Sequence, residues 1–446
     1  MALASISAFT PAGPSPSPTN SPPPTTKPNV LLIVTDDQEY KTLSAMSVVG
    51  NRLVDKGVKF TNGFVTNPMC CPSRTSILTG DYSHTTGVYE NHHGFESFDD
   101  HSTVATWLNG AGYDTALIGR YLNAYQPPYI PPGWDHWVAK TNGGGVYYHY
   151  SLTDDGHTEQ YGGAPRDYLT DVLANKAVSF LDDSVGKPFF LMFTPNAPHS
   201  PAEPAQKYLH AFPNLPRWRP RSYDEAQVRD KPDWVRKHDR LSPAQQRAID
   251  AFRHDQLRTL LSVNDAIRRM LDELYATGRI ANTLILFTTD NGYLWGEHRL
   301  VGKSVPYEES IRVPFVVRYD ALGIKPREDG HQVLNIDIAP TIAQLAGVSD
   351  HGADGRSLLP LLRDPKAPWR TQFLAEHIAG GAMPAWCEVH GTGHAYIYYA
   401  DGEQELYDLN KDPYELRNIA DSTRLSGYRH RLRQLCRPAP PGLKLP

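Results

Sequence analysis

Positive charge is not in surplus in this sequence. Lysine and arginine total 44 against 49 aspartates and glutamates, for a formal charge of −5. That balance excludes a general nucleic-acid binder, which needs a basic surface, and leaves room only for a local cationic pocket. Long apolar runs are also missing. The longest, such as VLLIV and FFLMF, are strand-sized, so no membrane span is expected. No Asn-x-Ser/Thr acceptor occurs with x other than proline, which counts against a heavily N-glycosylated secretory protein. Cysteines number only four: Cys70, Cys71, Cys387 and Cys436. Adjacent cysteines rarely pair with each other, because the geometry is strained. Cys387 and Cys436 are either one disulfide or two thiols, and the spacing of the four suits no zinc site.

What is present is 446 residues, 40% hydrophobic and 21% charged, enough for a large core and two domains. Residues 1–27 are rich in Pro, Ser and Thr and read as a disordered leader. Its ALASISAF segment lacks the basic start and the long apolar stretch of a complete signal peptide. A Pro-rich leader still favours export, so a secreted or periplasmic bacterial protein is expected over a cytoplasmic one.

From residue 28 strands and helices alternate. NVLLIVTDD, YDTALIGRY, KPFFLMFTPNAPH and NTLILFTTDNG read as buried strands. Between them, DYLTDVLANKAVSFLDD places Leu169, Val172, Leu173, Ala177, Phe180 and Leu181 on one helical face. A long helix is expected after the cap Ser242 and Pro243, ending at Gly278. Continuous apolar strands between amphipathic helices indicate an α/β fold, with a large, mostly parallel sheet covered on both faces. This unit is expected over 28–364. Beyond it, HAYIYYADGEQELYDL reads as an antiparallel hairpin turning at Asp401-Gly402, followed by a basic helix from about Ser422 to Cys436. The 365–446 region is therefore expected as a smaller α+β unit with an antiparallel sheet.

The strand ends carry the chemistry. The first ends in Asp36 and Asp37, the next in Arg120, the third in His199 and the fourth in Asp290 and Asn291. Ligands of open α/β sheets bind beyond the carboxyl ends of the strands. Asp36, Asp37, Asp290 and Asn291 offer only oxygen, which suits calcium or magnesium and not zinc. Singly, each is an ordinary turn residue after a strand; as a set beside basic strand ends, they read as a metal site. The segment NPMCCPSRTSILTG places Cys70 just before a helix expected to start at Pro72-Ser73. A helix N-terminus favours anions and lowers a thiol pKa, and Arg74 adds a fixed positive charge.

CCPSRTSILTG matches the pattern C-x-P-S-R-x-x-x-L-T-G with Cys70 in first place, and it resembles the signature of the type I sulfatases of the alkaline-phosphatase-like superfamily. The resemblance runs from about residue 28 to 420 through PNVLLIVTDDQ, GDYSHTTGVYEN, PPGWDHW, APHSP, DNGYLWGEHRLVGKSVPYEESIRVP, DGRSLLPLL and ELYDLNKDPYELRNIA. CCPSR and GRYLNAY look most like the N-acetylglucosamine-6-sulfatase branch and its bacterial arylsulfatase relatives. The resemblance implies a hydrolase of sulfate monoesters, on a glycan or an aryl sulfate. It implies that a separate formylglycine-generating enzyme oxidises Cys70 to Cα-formylglycine, and that Cys71 is a packed structural residue. Asp36, Asp37, Asp290 and Asn291 match the ligands of one Ca2+, Mg2+ being the alternative, with residue 70 completing the shell. Arg74 matches the arginine that holds the nucleophile. His199 and Lys303 match the pair that bind sulfate and protonate the leaving oxygen.

The chain departs from the family pattern where many members carry Lys-Trp-His. Here Arg120-Tyr121-Leu122 stand, so the histidine often assigned as base of the elimination step falls on Leu122. Asn123 occupies the corresponding place in the glucosamine-6-sulfatase branch, and His84 is another neighbour expected near the nucleophile. Asn91, His92 and His93 in ENHHG, and Glu297 and His298 in WGEHRL, are expected either at the substrate or as loop packing. A phosphonate monoester or phosphodiester hydrolase is the same-fold alternative. A non-catalytic glycan-binding relative is disfavoured, since nucleophile precursor, metal ligands and leaving-group pair are all present.

Overall fold

The computed structural model describes residues 27–141 and 145–446. The leader expected over 1–27 lies outside them except for Lys27. In chain order the strands are β1 (Asn29–Thr35), β2 (Val58–Phe64), β3 (Asp114–Gly119), β4 (His136–Lys140), β5 (Ser151–Asp154) and β6 (His157–Gln160). They continue as β7 (Phe189–Thr194), β8 (Thr283–Thr289), β9 (Leu294–Trp295), β10 (Val301–Gly302), β11 (Arg312–Arg318) and β12 (Arg327–Leu334). The last four are β13 (Gln372–His377), β14 (Trp386–Gly391), β15 (His394–Tyr399) and β16 (Gln404–Asp408).

Ten of these form one mixed sheet in the order β12-β2-β11-β8-β1-β7-β3-β4-β5-β6. Its centre, β8-β1-β7-β3-β4, is parallel throughout. Strand β11 runs antiparallel to both its neighbours, and β5 and β6 close the other edge antiparallel. The four strands legible as apolar runs are thus β1, β3, β7 and β8, which stand side by side. Strands β2 and β12 are not legible as apolar runs, because Lys59, Asn62, Glu328 and His331 interrupt them, and β11 carries Pro314 among its apolar residues.

Residues of β1 alternate between two cores, as successive strand side chains must. Val30, Leu32 and Val34 pack toward Ile77, Leu78, Val104, Ile338 and Ile342. Leu31 and Ile33 pack toward Leu169, Leu173, Leu260 and Leu271. Burying each such side chain stabilises the fold by roughly 1.5–3 kcal/mol relative to leaving it exposed. The long helix Pro243–Ala276 starts where the sequence indicates. The Gln245 N–H donates to Ser242 Oγ at 3.3 Å, and the Ser242 N–H donates to Gln245 Oε1 at 2.9 Å.

The C-terminal sheet is an antiparallel meander, β13-β14-β15-β16, and its last hairpin turns at Asp401-Gly402 with Gly402 at φ +90°. One face, with Phe373, Ala375, Trp386 and Tyr399, packs on Leu294, Tyr307, Ile311 and Leu334 of the larger unit. The other carries Leu374, Val389, Tyr396 and Leu406 against Leu432 of a terminal helix, Ser426–Leu435. That helix is shorter than the expected 422–436 span. Cys387 and Cys436 form a disulfide that ties β14 to its end.

Candidate active site

The parallel order of β8, β1, β7 and β3 settles which strand ends meet. Asp36 and Asp37 follow β1, Asp290 and Asn291 follow β8, His199 lies on the loop after β7, and Arg120 follows β3. The helix Cys70–Thr79 is inserted above them with all ten residues buried. It begins at Cys70, two residues before the expected start, so Cys70 lies in the first turn. Met69 supplies no side-chain cap; instead Asn91 Oδ1 accepts the Cys71 N–H at 2.9 Å. Asn91 thus caps the helix that opens at Cys70. The helix ends at Gly80, where φ is +84° and a Cβ would come within 2.8 Å of Ala353, so only glycine closes it here.

Arg74 binds the acids from beneath. Its Nε donates to Asp290 Oδ2 at 2.8 Å, one terminal nitrogen donates to Asp36 Oδ2 at 3.1 Å, and the other donates to the Arg120 carbonyl at 2.7 Å. The Arg120 guanidinium pairs with Asp36 as well. The Lys303 ammonium pairs with Asp37 and lies 2.8 Å from Cys70 Sγ. Cys70 Sγ lies 3.6 Å from Asp36 Oδ1. His199 Nδ1 is 2.6 Å from the Ser200 carbonyl, which makes Nδ1 the donor and leaves Nε2 directed at Asp37 Oδ2, 3.8 Å away. The acids are 0–4% exposed, whereas Arg120, Lys303 and His199 are 14, 16 and 21% exposed. An anion entering from solvent therefore meets Arg120, Lys303 and the His199 imidazole before it meets a carboxylate.

Electrostatics follow from that layering. Burial alone would raise Asp36, but Arg120, His199, Arg74 and Lys303 outweigh it and hold the carboxyl well below its ordinary range. Burial, and then the charge of Asp36, pushes Asp290 up. For Lys303, burial is outweighed by Asp37 and Cys70, and its ammonium is held above the ordinary lysine range. The thiol of Cys70 does not follow the sequence expectation. Burial, and then the adjacent Asp36, pushes it up to about 12, and the helix N-terminus does not offset them. As a plain cysteine, residue 70 is a protonated thiol and a poor nucleophile.

The acids fit a hard cation. Ligand atoms of Asp36, Asp37, Cys70 and Asp290 all lie within 4.8 Å of one another. Asn291 donates its Nδ2 to Asp37 Oδ1 at 2.7 Å, and its buried Oδ1 has no hydrogen-bond partner. An orphaned amide oxygen beside three carboxylates gives a set of oxygen donors of the kind that suits a hard cation.

Three of the residues singled out lie elsewhere. His298 is fully buried, with Nδ1 2.8 Å from Glu225 Oε2 and its ring stacked on Tyr307, so substrate does not reach it. Glu297 is equally buried and accepts from the Trp295 N–H and the Trp218 indole. Both are packing residues, because the WGEHRL segment turns inward and pairs with the loop at Tyr223. His84 Nδ1 is 2.8 Å from Glu376 Oε1 and joins the segment after the Cys70–Thr79 helix to β13. Asn123 keeps a buried Oδ1 without a partner, while Leu122 and Cys71 are core residues.

The structure adds residues that the sequence did not disclose. His377, held neutral by burial with its pKa down to about 4, donates from Nδ1 to Asn67 Oδ1 at 3.0 Å and so braces the segment before Cys70. Asn335 Nδ2 donates to Ser73 Oγ at 3.0 Å. Lys140, the last residue of β4, is brought beside Arg120 by the Gly119–Ala139 register, and burial and then Arg120 hold its pKa down to about 8. The only sequence signal for Lys140 was a lysine ending an apolar strand.

The sulfatase family model matches residues 28–348, and the model of the N-sulphoglucosamine sulphohydrolase C-terminal region matches 296–437. The chain is 37% identical over 374 residues to the extracellular sulfatase SULF-1 homolog of Drosophila melanogaster, covering 78% of this chain and 33% of that protein. It is 36% identical over 385 residues to the N-acetylglucosamine-6-sulfatase of Homo sapiens, covering 80% and 68%. The chain thus spans about a third of the length of the Drosophila relative. Among solved structures, one described as in complex with its substrate D-glucosamine-2-N,6-O-disulfate superposes with a TM-score of 0.78 at 27% identity, over 92% of this chain and 96% of that one.

Proposed function

The chain belongs to the sulfatase family, and from that premise we propose that it is a sulfuric ester hydrolase acting on sulfated glycans. The observation that carries this reading is the layered site: Cys70 in the first turn of a buried helix, 2.8 Å from Lys303 and 3.6 Å from Asp36, beneath a mouth made by Arg120, His199 and Lys303. The raised thiol pKa supports a precursor role, because the site needs at residue 70 a nucleophile that an unmodified cysteine does not supply. Oxidised to formylglycine by a maturation enzyme, residue 70 supplies an aldehyde hydrate, one hydroxyl to attack sulfur and a second to release sulfate.

Asp36, Asp37, Asp290 and Asn291 would hold the cation, a hard one since the donors are all oxygen, with calcium preferred by the family resemblance and magnesium the alternative. Such a cation polarises the nucleophile and offsets sulfate charge. Arg120 and Lys303 orient the sulfate oxygens at the mouth, and Arg74 keeps the carboxylates in register from below. Lys303 and His199 Nε2 lie on the open side, where the ester oxygen departs, and deliver its proton. Together these cations act as preorganised electrostatic stabilisation. The human relative is an N-acetylglucosamine-6-sulfatase and the solved neighbour holds a 6-O-sulfated glucosamine, which supports a 6-O-sulfated amino sugar as the substrate class. An extracytoplasmic site of action belongs to the same proposal, supported by the disulfide and by the extracellular Drosophila relative.

The test is mass spectrometry of the tryptic peptide 60–74 from protein made in its native host, together with turnover of glucosamine 6-sulfate. The aldehyde at residue 70, with turnover lost in Cys70→Ala, is expected. A faster rate on phenylphosphonate esters than on any sulfate ester would move the assignment to the phosphonate hydrolases.

A further inference from the structure

The catalytic chemistry leaves the basic C-terminal helix unused. After Asp421 the chain has no Asp or Glu, but it has Arg424, Arg429, Arg431, Arg433, Arg437 and Lys444. Against a whole-chain charge of −5 this is a concentrated local field. Two of these cations are spent internally: Arg429 Nε donates to Gln404 Oε1 at 3.0 Å, and Arg433 donates to the Pro446 carbonyl. Arg424 and Arg431 instead line a cavity of about 560 Å³, together with His394, His430, Tyr428 and Thr392. Among the described residues no carboxylate lines it. Arg424 is exposed and makes no ion pair there. Arg431 donates one terminal nitrogen to Gln434 Oε1 at 3.0 Å, and its buried Nε has no partner.

The cavity is separate from the catalytic site. Gln372 at the start of β13 lines it, whereas His377 at the other end of β13 braces Asn67 beside Cys70. Those strand ends are about 17 Å apart at roughly 3.3 Å per residue. The cavity also opens on the terminal-helix side of the sheet, and the opposite face packs on the catalytic unit.

We propose that this cavity is a second, non-catalytic binding site for a sulfated glycan. Arg424 and Arg431 take a sulfate group, since planar guanidinium forks match tetrahedral oxyanions with two parallel hydrogen bonds. The Tyr428 ring, 5.9 Å from His394, offers a flat face to the sugar. An open cavity of about 560 Å³ takes one charged sugar unit, whereas a nucleic-acid duplex needs an extended cationic track along its phosphates. The inference rests on the sulfated-glycan reading of the catalytic site. Holding a polymer here raises the concentration of its other sulfated units at the catalytic mouth.

The test uses the full chain carrying Cys70→Ala, so that nothing turns over, and calorimetric titration with a heparin dodecasaccharide. Adding Arg424→Gln and Arg431→Gln is expected to weaken binding about tenfold and to reduce the salt slope by about two. The desulfated dodecasaccharide should not bind. Arg424→Glu alone, at an exposed position that does not endanger folding, should give the same direction of change with an unchanged melting temperature. In the otherwise native chain, Arg424→Gln should raise KM for the dodecasaccharide and leave hydrolysis of glucosamine 6-sulfate as it was. Unchanged dodecasaccharide affinity in the arginine variants would overturn the proposal. So would a DNA duplex of matched charge that binds as tightly and loses as much. Arginine-dependent binding, together with a parent chain matured to formylglycine that hydrolyses no sulfate ester, would sink the hydrolase reading and keep this site.

Discussion

The ammonium of Lys303 lies 2.8 Å from the sulfur of Cys70 and pairs at the same time with Asp37. One side chain thus touches both the nucleophile position and a carboxylate of the proposed cation site. It also faces the partly open mouth, where an ester oxygen would depart.

Lys303→Gln should therefore separate substrates by leaving group. On an alkyl sulfate, whose alkoxide needs a proton, kcat should fall about 10²–10⁴-fold. On an aryl sulfate with an acidic phenol the loss should be far smaller. Steady-state kinetics over a series of leaving groups reads the difference. Equal losses on both would remove the acid role and leave Lys303 a binding residue.

Arg74 is 1% exposed and bridges Asp36, Asp290 and the Arg120 carbonyl. Arg74→Met leaves two buried carboxylates short of their partner, and breaking a buried pair from one side costs about 3–5 kcal/mol. Arg74→Lys restores the charge but not the fork, and should recover less than half. Urea unfolding measures both; an Arg74→Met chain within about 1 kcal/mol of the parent would contradict the bracing role.

Calcium should raise the melting temperature. At a concentration one hundred times Kd, a ligand of the folded state alone adds about 2.7 kcal/mol. Asn291→Leu removes the buried oxygen that has no partner, and should shrink the calcium-dependent shift by more than half. Melting insensitive to both calcium and chelator would count against the cation.

Stability should fall as pH rises from 5 to 8. Burial pushes Glu297 up to about 7, and burial and then the charge of Glu297 push Glu309 up to about 8, from an ordinary 4.5. Folding favours the protonated forms, so their contribution is complete below about 4.5 and is lost as pH rises through 7 and 8. The slope reaches at most about 1.4 kcal/mol per pH unit for each group. Glu309→Gln should flatten thermal melting across that window, and an unaltered profile would show that the pair titrates as it does in the unfolded chain.

The Cys387–Cys436 disulfide joins residues 49 apart in the sequence and closes a loop that holds β15 and β16. Reduction, or Cys436→Ala, should cost about 2–5 kcal/mol. It should also expose β16 and the terminal helix to protease before the larger unit. A denaturation midpoint indifferent to reductant would refute this.

Much of this protein was legible along the chain. β1, β3, β7 and β8 are unbroken apolar runs because both faces of a central parallel sheet are covered, and such runs leave their polar residues at the ends. Asp36, Arg120, His199 and Asp290 therefore announced themselves by position, and Cys70 by the spacing of Pro72, Ser73 and Arg74. Periodicity and end position are local properties, and local properties survive in a string of letters. Tertiary structure alone decided the rest. It brought Asp36 and Asp290 onto one arginine by pairing β1 with β8, more than 250 residues apart in register. It turned His298 inward onto Glu225 when loop packing and contact with substrate were equally open readings. It joined Cys387 to Cys436, and it raised the Cys70 thiol because burial and Asp36 outweigh a helix end. Burial, register and the charge of distant neighbours arise only once the chain has closed on itself, and those quantities set the chemistry of the residues that the sequence had already pointed to.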